Sequence, residues 1–427
     1  MSSEATQPNG PLTGLRVIEL ASESAAYAGK LLADFGAEVL LVEPPGGHRT
    51  RRFEPFAEDL EPGHPDRSLW FWSYNTSKLG LELDLESAEG AAQFRELLTH
   101  ADIVLEAEPA GRLATLHLDH DDLRASESRL VWVSVTPFGR NDPRSSEPFT
   151  DLTVMSGGGV VWNNGYDDHT VAPMSCLGNQ GFQTASIWAA IGALTAVSAR
   201  ARIGHGQLVD VSMHAAANVT TEQATQWWLA AGKVVQRQTG RHASHFPTEP
   251  TIHRDREGHE VHIGFPPRTA EELVRLVQWI DDLGLREDFP MVTLLDLAVE
   301  QGGIDLSRLL DDEFTQECYR AARDAMTVIA SRLTQQEFFL QGQTHGLAVG
   351  MILTADEAMA DPHLADRDYP AVVHQPQLGR GIVHAGLPIR FTGTPGNIRP
   401  APAPGQHQAL LTPPGEPPGP NLPRTSS

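Results

Sequence analysis

Short apolar runs alternate with amphipathic stretches along the first half of the chain. Each run is only a few residues long and is bounded by polar residues or glycine, so we predict buried strands at 15–21, 38–43, 79–85, 102–107 and 130–139, the last ending in a turn. The stretches 25–37 and 90–101 carry apolar residues at helical spacing. Strands that alternate with helices predict parallel βαβ units, and therefore an α/β fold with a Rossmann-like large domain.

The pattern changes in the second half. A long apolar helix is predicted from Gln180 to about Arg200, and a turn and strand follow at 204–213. Residues 236–327 contain one predicted strand and several amphipathic helices, which predicts a smaller α+β domain inserted into the large one. The predicted organisation is a polar leader (1–14), a large domain (15–235 and 328–400), the small domain (236–327) and a tail rich in proline and glycine (401–427).

The net charge of the chain restricts the kinds of partner that it can bind. A formal net charge of -23 over 427 residues opposes binding to nucleic acid or to an anionic membrane, since both are negatively charged. The polar N-terminus lacks the apolar segment of a secretory signal, and two cysteines are too few for a disulfide framework. We therefore expect a cytoplasmic protein in which the longest apolar run, Ala185 to Ala199, forms a buried helix and not a membrane span.

The first predicted βαβ unit does not carry a dinucleotide fingerprint. A glycine-rich G-x-G-x-x-G turn would be needed between the first strand and the first helix, and the connection there is "SESAAYAG". Glu43, at the end of the second strand, is therefore not expected to bind a nucleotide ribose.

Seven segments carry a stronger signal, because they follow one order over nearly all of the chain. They are "PLTGLRVIEL", "AGKLLADFGAEVLLVEPPGGHRTR", "WFWSYNTSKLGLELDL", "ADIVLEAEPAGRL", "VWVSVTPFGRNDP", "GHGQLVDVSMHAA" and "DPHLADRDYPAVVHQPQLGRGIVHAGLPIRFTGTP". Together they resemble the class III CoA-transferase family, with α-methylacyl-CoA racemase as its sister branch. The resemblance implies two domains per chain, an interlocked homo- or heterodimer, an acyl-CoA and a carboxylic acid as substrates, and no metal.

The resemblance also implies which residues bind coenzyme A. Asn75 and Lys78 match a family Asn-x-x-Lys segment, and a lysine beside the cofactor phosphates makes electrostatic sense. Arg51 matches the arginine of a glycine-rich turn, and Phe138 and Gly139 match the turn after the fifth strand. The family's adenine-side segment has drifted to "AEPAG" at 107–111, where an amide and an aromatic ring are lost.

The segment "SCLGNQGFQTASIWAAIGAL" holds the position of the family's catalytic aspartate, which is Asn179 here. In the family, that carboxylate attacks the acyl-CoA thioester and forms an acyl anhydride, which the leaving CoA and then the acceptor acid resolve. An uncharged amide cannot form this anhydride at a useful rate. The racemase branch would need the same aspartate and a histidine at Thr150, so racemisation is not expected either.

Other residues could in principle substitute, each with an ordinary structural alternative. Asp151 and the cluster Asp167, Asp168 and His169 offer carboxylates and a base, although exposed loops commonly hold such residues. Cys176 offers a thiol, but a lone cysteine is more often a small buried hydrophobe. His259 and His262 lie at strand spacing without an evident third ligand, and Trp227 and Trp228 are typical of a core or an interface.

Three hypotheses stay open. The first is a CoA-transferase subunit without a nucleophile that works beside a catalytic sister chain; the segments "AAYAGKLLADFGAEVLLVEPPGG" and "SLWFWSYNTSK" resemble the non-catalytic type of subunit in benzylsuccinate CoA-transferases. The second is a self-sufficient CoA-transferase with a displaced carboxylate. The third is a non-enzymatic acyl-CoA-binding or assembly protein.

Overall fold

Six parallel strands form the centre of the larger of two units. The structure, a computed structural model, describes residues 10–124, 126–176, 178–309 and 311–411. The strands are β1 (Arg16–Leu20), β2 (Glu38–Glu43), β3 (Leu79–Glu82), β4 (Ile103–Glu106), β5 (Val131–Thr136) and β6 (Leu208–Ser212). Their order, β3-β2-β1-β4-β5-β6, is that of a doubly wound sheet, so the predicted α/β class with a Rossmann-like large domain is confirmed.

Of the described residues, the larger unit comprises those in 10–161, Ser175–Glu222 and 361–411. Its helices are α1 (Ala26–Asp34), α2 (Leu69–Tyr74), α3 (Ala88–Leu98), α4 (Arg112–Thr115), α5 (His120–Leu123), α6 (Asp151–Gly157), α7 (Gln180–Ile203), α8 (Met213–Val219) and α15 (Pro362–Asp366). A hairpin of β12 (Pro370–Gln375) and β13 (Arg380–Ala385) follows α15.

The sheet is buried on both faces. Val17 and Val133 belong to a core shared with α1 and α7, whereas Ile18 and Trp132 belong to a core with α3 on the opposite face. This explains the nearly continuous apolar runs in the sequence, because a parallel sheet covered by helices on both sides needs apolar side chains at successive positions.

Helix α7 packs against α1, α6, α8, β5 and β6. Within the described residues it is the one helix whose length and composition would let it cross a membrane. Its 24 residues exceed the apolar run read from the sequence, since Gln180 to Gln183 and the arginine-rich end extend the helix beyond that run. Alanines 185, 189, 193 and 196 are buried along one side, as expected of a core helix.

The smaller unit comprises Trp162–Met174 and Gln223–Ala360. Its elements are α9 (Glu222–Ala231, which starts at the boundary), β7 (Gln236–Gln238), β8 (Arg241–Ser244), β9 (Ile252–Arg254), β10 (Glu260–Ile263), α10 (Ala270–Asp282), α11 (Val292–Glu300), α12 (Glu313–Ala330), α13 (Gln335–Thr344), β11 (Val349–Met351) and α14 (Ala355–Ala360). Strands β9, β10 and β11 form an antiparallel sheet in the order β11-β10-β9. Strand β10 and helices α10, α11, α12 and α13 share one apolar core that contains Trp279 and Phe338.

This unit extends further than the predicted segment 236–327. Residues 328–360 belong to it because β11 pairs with β10 and α13 packs on β11. The predicted tail also differs at its start, where Ala401 is buried and the His407 ring accepts a hydrogen bond from Gly80 N at 3.0 Å. Residues 1–9 of the predicted leader and 412–427 of the predicted tail lie outside the described residues.

Candidate functional site

A cavity of about 980 Å³ opens at one edge of the six-stranded sheet. Its wall includes residues that end or follow four strands: Leu20 of β1, Glu43 of β2, Leu83 after β3 and Ala107 after β4. Parallel strands end at the same edge, and open α/β sheets bind ligands there, beside the strand at which the order reverses. Strand β1 holds that place between β2 and β4, so this cavity is the candidate functional site.

Asn179 lies in the wall of this cavity, immediately before α7. Its backbone is left-handed, with φ 56° and ψ 41°, a conformation that asparagine tolerates better than most residues. Gly178, with φ 85°, precedes it. The Asn179 side chain makes no capping hydrogen bond to α7; its Nδ2 donates instead to Glu23 Oε1 at 3.3 Å.

Glu23 is a carboxylate of this site that the sequence motifs did not reveal. It lies between β1 and α1, and its Oε2 accepts from Arg49 Nη2 at 2.9 Å. Burial raises the pKa of Glu23, and Arg49 and the Asn179 amide partly oppose that shift. The available sequence signal was its place after β1, because the connection following the central strand runs along the ligand-binding edge.

Asp151 is a second carboxylate in the wall and begins α6. Its Oδ1 accepts from the backbone N–H of Phe182 at 3.0 Å, and Gly181 also donates to this carboxylate. Burial raises the pKa of Asp151, and the two backbone hydrogen bonds oppose the shift. Asp151 therefore satisfies the N-terminus of α7. Thr150 caps α6 by accepting from Thr153 N, so its hydroxyl serves the helix start.

The cavity wall holds more carboxylates than cations. Besides Glu23 and Asp151, the acidic side chains of the wall are Glu43, Asp84, Glu86, Glu108 and Glu147. The basic ones are Arg49, Arg112 and His48. Burial lowers the pKa of His48 to about 4, so this ring is uncharged at neutral pH. An anionic ligand would depend on the two arginines.

A row of three aromatic rings, Phe53, Trp70 and Tyr74, runs beside the site. Phe53 and Trp70 have ring centroids 5.3 Å apart, and Trp70 stacks on Tyr74 at 4.4 Å. Gln183 Nε2 donates to the Tyr74 hydroxyl at 2.5 Å and to Gly178 O at 2.6 Å. The first turn of α7 is thereby tied both to the aromatic row and to the turn that presents Asn179.

Two predicted CoA-binding residues, Asn75 and Lys78, meet inside the fold. Lys78 Nζ donates to Glu19 Oε1 at 2.7 Å, to Ala26 O at 2.9 Å and to Asn75 Oδ1 at 2.9 Å. The Lys78 side chain has no exposed surface, and neither residue lines the cavity. Their contacts in this structure are structural and give no support to the predicted contact with a phosphate.

Arg51 is likewise engaged within the chain. Its guanidinium forms a two-point ion pair with Glu43, at 2.6 and 2.7 Å, and a third contact to Asp66 at 3.2 Å. It lies over the Phe71 ring at 3.8 Å and is buried. This charge is neutralised internally, so the predicted phosphate contact of Arg51 also finds no support in the structure.

Phe138 and Gly139 form a turn away from the cavity wall. The Phe138 ring lies between the His214 ring at 4.3 Å and the Arg144 guanidinium at 4.2 Å. Gly139 has φ 97°, which suits glycine, and the next residue, Arg140, donates its backbone N–H to Asp210 at 3.0 Å. The CoA-binding role predicted for this turn stays a prediction.

The cluster Asp167, Asp168 and His169 belongs to the smaller unit, whereas Asn179 belongs to the larger one. Asp167 pairs with Arg241 at 2.7 Å, and the His169 ring contacts Arg237 O at 3.1 Å. Cys176 packs, half-buried, against the core beneath the sheet.

The histidines of "HEVH" do not share one site. His262 contacts Thr251 Oγ1 at 3.2 Å, whereas His259 approaches Asp255 at 3.2 Å. Asp255, Glu257 and His259 could together offer a metal three ligand atoms. The Asp255 carboxylate already accepts backbone N–H groups of Glu257, His259 and Gln335, which is the pattern of a closed turn.

The two tryptophans of α9 differ in their surroundings. The Trp227 ring lies 4.2 Å from the His245 ring, whereas Trp228 is exposed. These contacts agree with packing and surface positions.

Comparison with known proteins identifies the family to which the chain is similar. A family model described as CoA-transferase family III matches residues 12–408. The chain is 30% identical over 383 residues to the succinyl-CoA:(R)-benzylsuccinate CoA-transferase subunit BbsE of Thauera aromatica. The aligned segment covers 88% of this chain and 87% of that protein. It is 32% identical over 410 residues to a succinyl-CoA:mesaconate CoA-transferase of Haloarcula hispanica, with 94% of each chain covered.

A solved structure has the same fold. The crystal structure of a CAIB/BAIF family protein from Brucella suis superposes with a TM-score of 0.74 at 25% identity. The match covers 94% of this chain and 98% of that one.

Proposed function

Because this chain belongs to CoA-transferase family III, we propose that it serves the transfer of CoA from an acyl-CoA to a carboxylic acid. It does so as a subunit without a nucleophile at position 179, beside a homologous chain that supplies one. The observation that carries the proposal is the uncharged amide of Asn179 in the cavity wall. A relative whose name marks it as a CoA-transferase subunit supports it.

The transfer needs an anionic oxygen. A carboxylate attacks the thioester carbon, the C–S bond breaks, CoA leaves as thiolate, and the acyl group remains on the carboxylate as an anhydride. The nitrogen lone pair of an amide is delocalised into its carbonyl and the group carries no charge. Asn179 can therefore hold a hydrogen bond at this position, but it cannot begin the exchange.

The neighbouring carboxylates are already committed to other partners. Glu23 is shared between Arg49 and Asn179, and Asp151 accepts two N–H groups at the start of α7. Hydrogen bonds and an ion pair stabilise the charge of a carboxylate and reduce its tendency to attack. These contacts support a cavity that contributes to a binding site but does not supply the nucleophile.

The outer face of α7 supports pairing with a second chain. Ile187, Trp188 and Ile191 are 43%, 41% and 47% exposed, although Ala185 and Ala189 of the same helix are buried. Their spacing places them on one face of the helix, and exposed apolar faces of this kind are typical of protein interfaces. We assign this face to the homologous partner, in the interlocked arrangement that the family resemblance implies.

The position of Glu23 supports one alternative, in which this chain is a self-sufficient transferase whose nucleophile is a carboxylate displaced from position 179. It is partly exposed in the cavity wall, and burial raises its pKa, which makes the ionised oxygen a stronger nucleophile. In this alternative Arg49 would have to release Glu23 before attack. The two candidates differ in one respect that can be measured, namely whether this chain becomes acylated.

Purification of the tagged chain from the cells that produce it tests the proposal. We expect a homologous chain with aspartate at the matching position to co-purify in equal amount, and the complex to transfer CoA. Ile187→Glu should prevent assembly with that partner, whereas Val274→Glu, at an exposed position of the smaller unit, should not. A chain that purifies alone and transfers CoA would contradict the proposal.

A further inference from the structure

A second cavity, of about 560 Å³, lies at the opposite edge of the six-stranded sheet, where β5 and β6 begin. All of its lining residues belong to the larger unit, and none of them lines the first cavity. The segments that precede the two strands pack closely, since Gly206 N donates to Ser128 O at 2.8 Å. A Cβ at Gly206 would lie 2.0 Å from Leu130 O, so this approach requires glycine. The second cavity is therefore bounded by a tightly packed part of the fold.

The floor of the second cavity is apolar. Trp132 of β5 and Leu208 of β6 are register partners in neighbouring parallel strands, so their side chains lie on the same face of the sheet. Leu123 and Leu130 complete the floor. Trp132, Leu123 and Leu130 belong to the core on the α3 face, and Leu208 packs, half-buried, against that core. This floor suits an apolar group of a ligand, because contact with it removes apolar surface from water.

Two charged side chains of the wall, Arg124 and Glu127, are unpaired within the described residues. Neither the exposed guanidinium nor the half-buried carboxylate has a hydrogen bond or an ion pair there, although Glu127 N donates to Leu123 O at 3.0 Å and closes the turn that carries both. Burial raises the pKa of Glu127, and His100 opposes that shift only in part. An added cation would therefore stabilise the charge of this carboxylate.

The two histidines of the wall are each engaged through one ring nitrogen. His120 Nδ1 lies 3.2 Å from Asp121 Oδ1, and His205 Nδ1 lies 2.9 Å from the carbonyl oxygen of Gly206. A carbonyl oxygen can only accept, so Nδ1 of His205 is the donor in that contact. The wall therefore offers a ligand one permanent positive charge and one negative charge above an apolar floor.

From this arrangement we infer that the second cavity binds a free apolar α-amino acid. The carboxylate of the amino acid pairs with Arg124, its ammonium group pairs with Glu127, and its side chain lies on the floor. An acid or an amine alone would leave one charge of the wall unpaired, and the end of a peptide would supply only one of the two charges. A zwitterion carries no net charge, so the net charge of -23 does not repel it as it would an anion.

Calorimetric titration of the full chain with three compounds of similar size tests this inference. Phenylalanine carries both charges, 3-phenylpropionate lacks the ammonium group, and 2-phenylethylamine lacks the carboxylate. We expect phenylalanine to bind more tightly than either of the other two by about tenfold, since each of them loses one charged contact.

Substitution of the two charged residues should change the three affinities selectively. Arg124→Gln should weaken phenylalanine and 3-phenylpropionate by about tenfold and leave 2-phenylethylamine unchanged. Glu127→Gln should weaken phenylalanine and 2-phenylethylamine but not 3-phenylpropionate. A residue that only stabilised the fold would change all three affinities alike. Arg202→Gln, at an exposed arginine outside both cavity walls, is the matched control and should change none of them.

Three results would overturn the inference: no binding of phenylalanine by the parent chain, equal affinities for the three compounds, or a loss of affinity in either variant that is the same for all three. The inference uses no residue of the first cavity. Failure of the proposed CoA-transferase role would therefore leave these affinities as expected, and the two proposals can be judged separately.

Discussion

The side-chain amide of Asn179 donates a hydrogen bond to the carboxylate of Glu23, with 3.3 Å between Nδ2 and Oε1. An aspartate at position 179 could not make this contact, because it has no donor when ionised and would place a second negative charge beside the first. The amide of Asn179 is therefore matched to the carboxylate of Glu23 in both charge and hydrogen bonding.

The matching of Glu23 and Asn179 predicts that an aspartate at position 179 destabilises the protein when it is introduced alone. Asn179→Asp should lower the free energy of unfolding at neutral pH by about 1–2 kcal/mol, since two carboxylates then face each other. Combining it with Glu23→Gln exchanges donor and acceptor and should recover most of that loss. Urea unfolding of the two single variants and the double variant measures the coupling. Additive effects would show that the two side chains do not interact.

The pH dependence of stability should carry a contribution from His48. Its Nδ1 lies 2.9 Å from Thr50 Oγ1 and accepts from Thr50 N, and burial lowers the folded-state pKa from 6.5 to about 4. A depressed histidine pKa means that the unfolded chain binds the extra proton. The stabilising effect is therefore fully present above pH 6.5 and is lost as the pH falls toward 4.

His48→Asn keeps a capping side chain but removes this titration. The variant should lose less stability than the parent between pH 6.5 and 4, by a difference on the order of 1 kcal/mol. Unfolding curves of the two chains at the same pH values measure this difference in stability. The carboxylates are the same in both chains, so their contribution to the pH dependence cancels in the comparison. Identical pH profiles for the two chains would refute the assignment.

The buried contacts of Lys78 predict a structural defect on its removal. Lys78→Met leaves Glu19 buried without its partner and should cost about 3–5 kcal/mol of stability, whereas Glu19→Gln with Lys78→Met should cost less. CoA affinity, measured on the folded fraction, should not change. If the Lys78→Met chain had normal stability but bound CoA more weakly, that result would instead support the predicted contact between Lys78 and a CoA phosphate.

Much of the fold could be predicted because the apolar pattern directly reflects burial. Strands β1 and β2 are covered on both faces, so their sequences are nearly uninterrupted apolar runs, and helix α7 begins at the predicted Gln180. The boundary of the smaller unit could not be predicted in the same way. It depends on the pairing of β11 with β10, which lie far apart in sequence. Strand β11 has only three residues, too few to show a recognisable strand pattern.

The candidate site depends on contacts of the same long-range kind, and of the residues singled out from the family resemblance Asn179 lies in the cavity wall. The family resemblance singled out Asn179. It could not distinguish an arginine or lysine whose side chain faces a ligand from one whose side chain is buried within the fold. Arg51 and Lys78 are buried in ion pairs, whereas Arg49, two residues before Arg51, is exposed in the cavity. No motif marks Glu23, because its contacts are with Arg49 and Asn179, which are distant from it in sequence.

Acylation of this chain by an acyl-CoA tests the central claim most directly. The purified protein is incubated with succinyl-CoA, quenched, and examined by intact-mass and peptide mass spectrometry with and without hydroxylamine. The amide at position 179 predicts no hydroxylamine-sensitive succinyl adduct on this chain, while a catalytic partner chain in the complex becomes labelled. A stoichiometric adduct on Glu23 or Asp151 of the isolated chain would contradict the account.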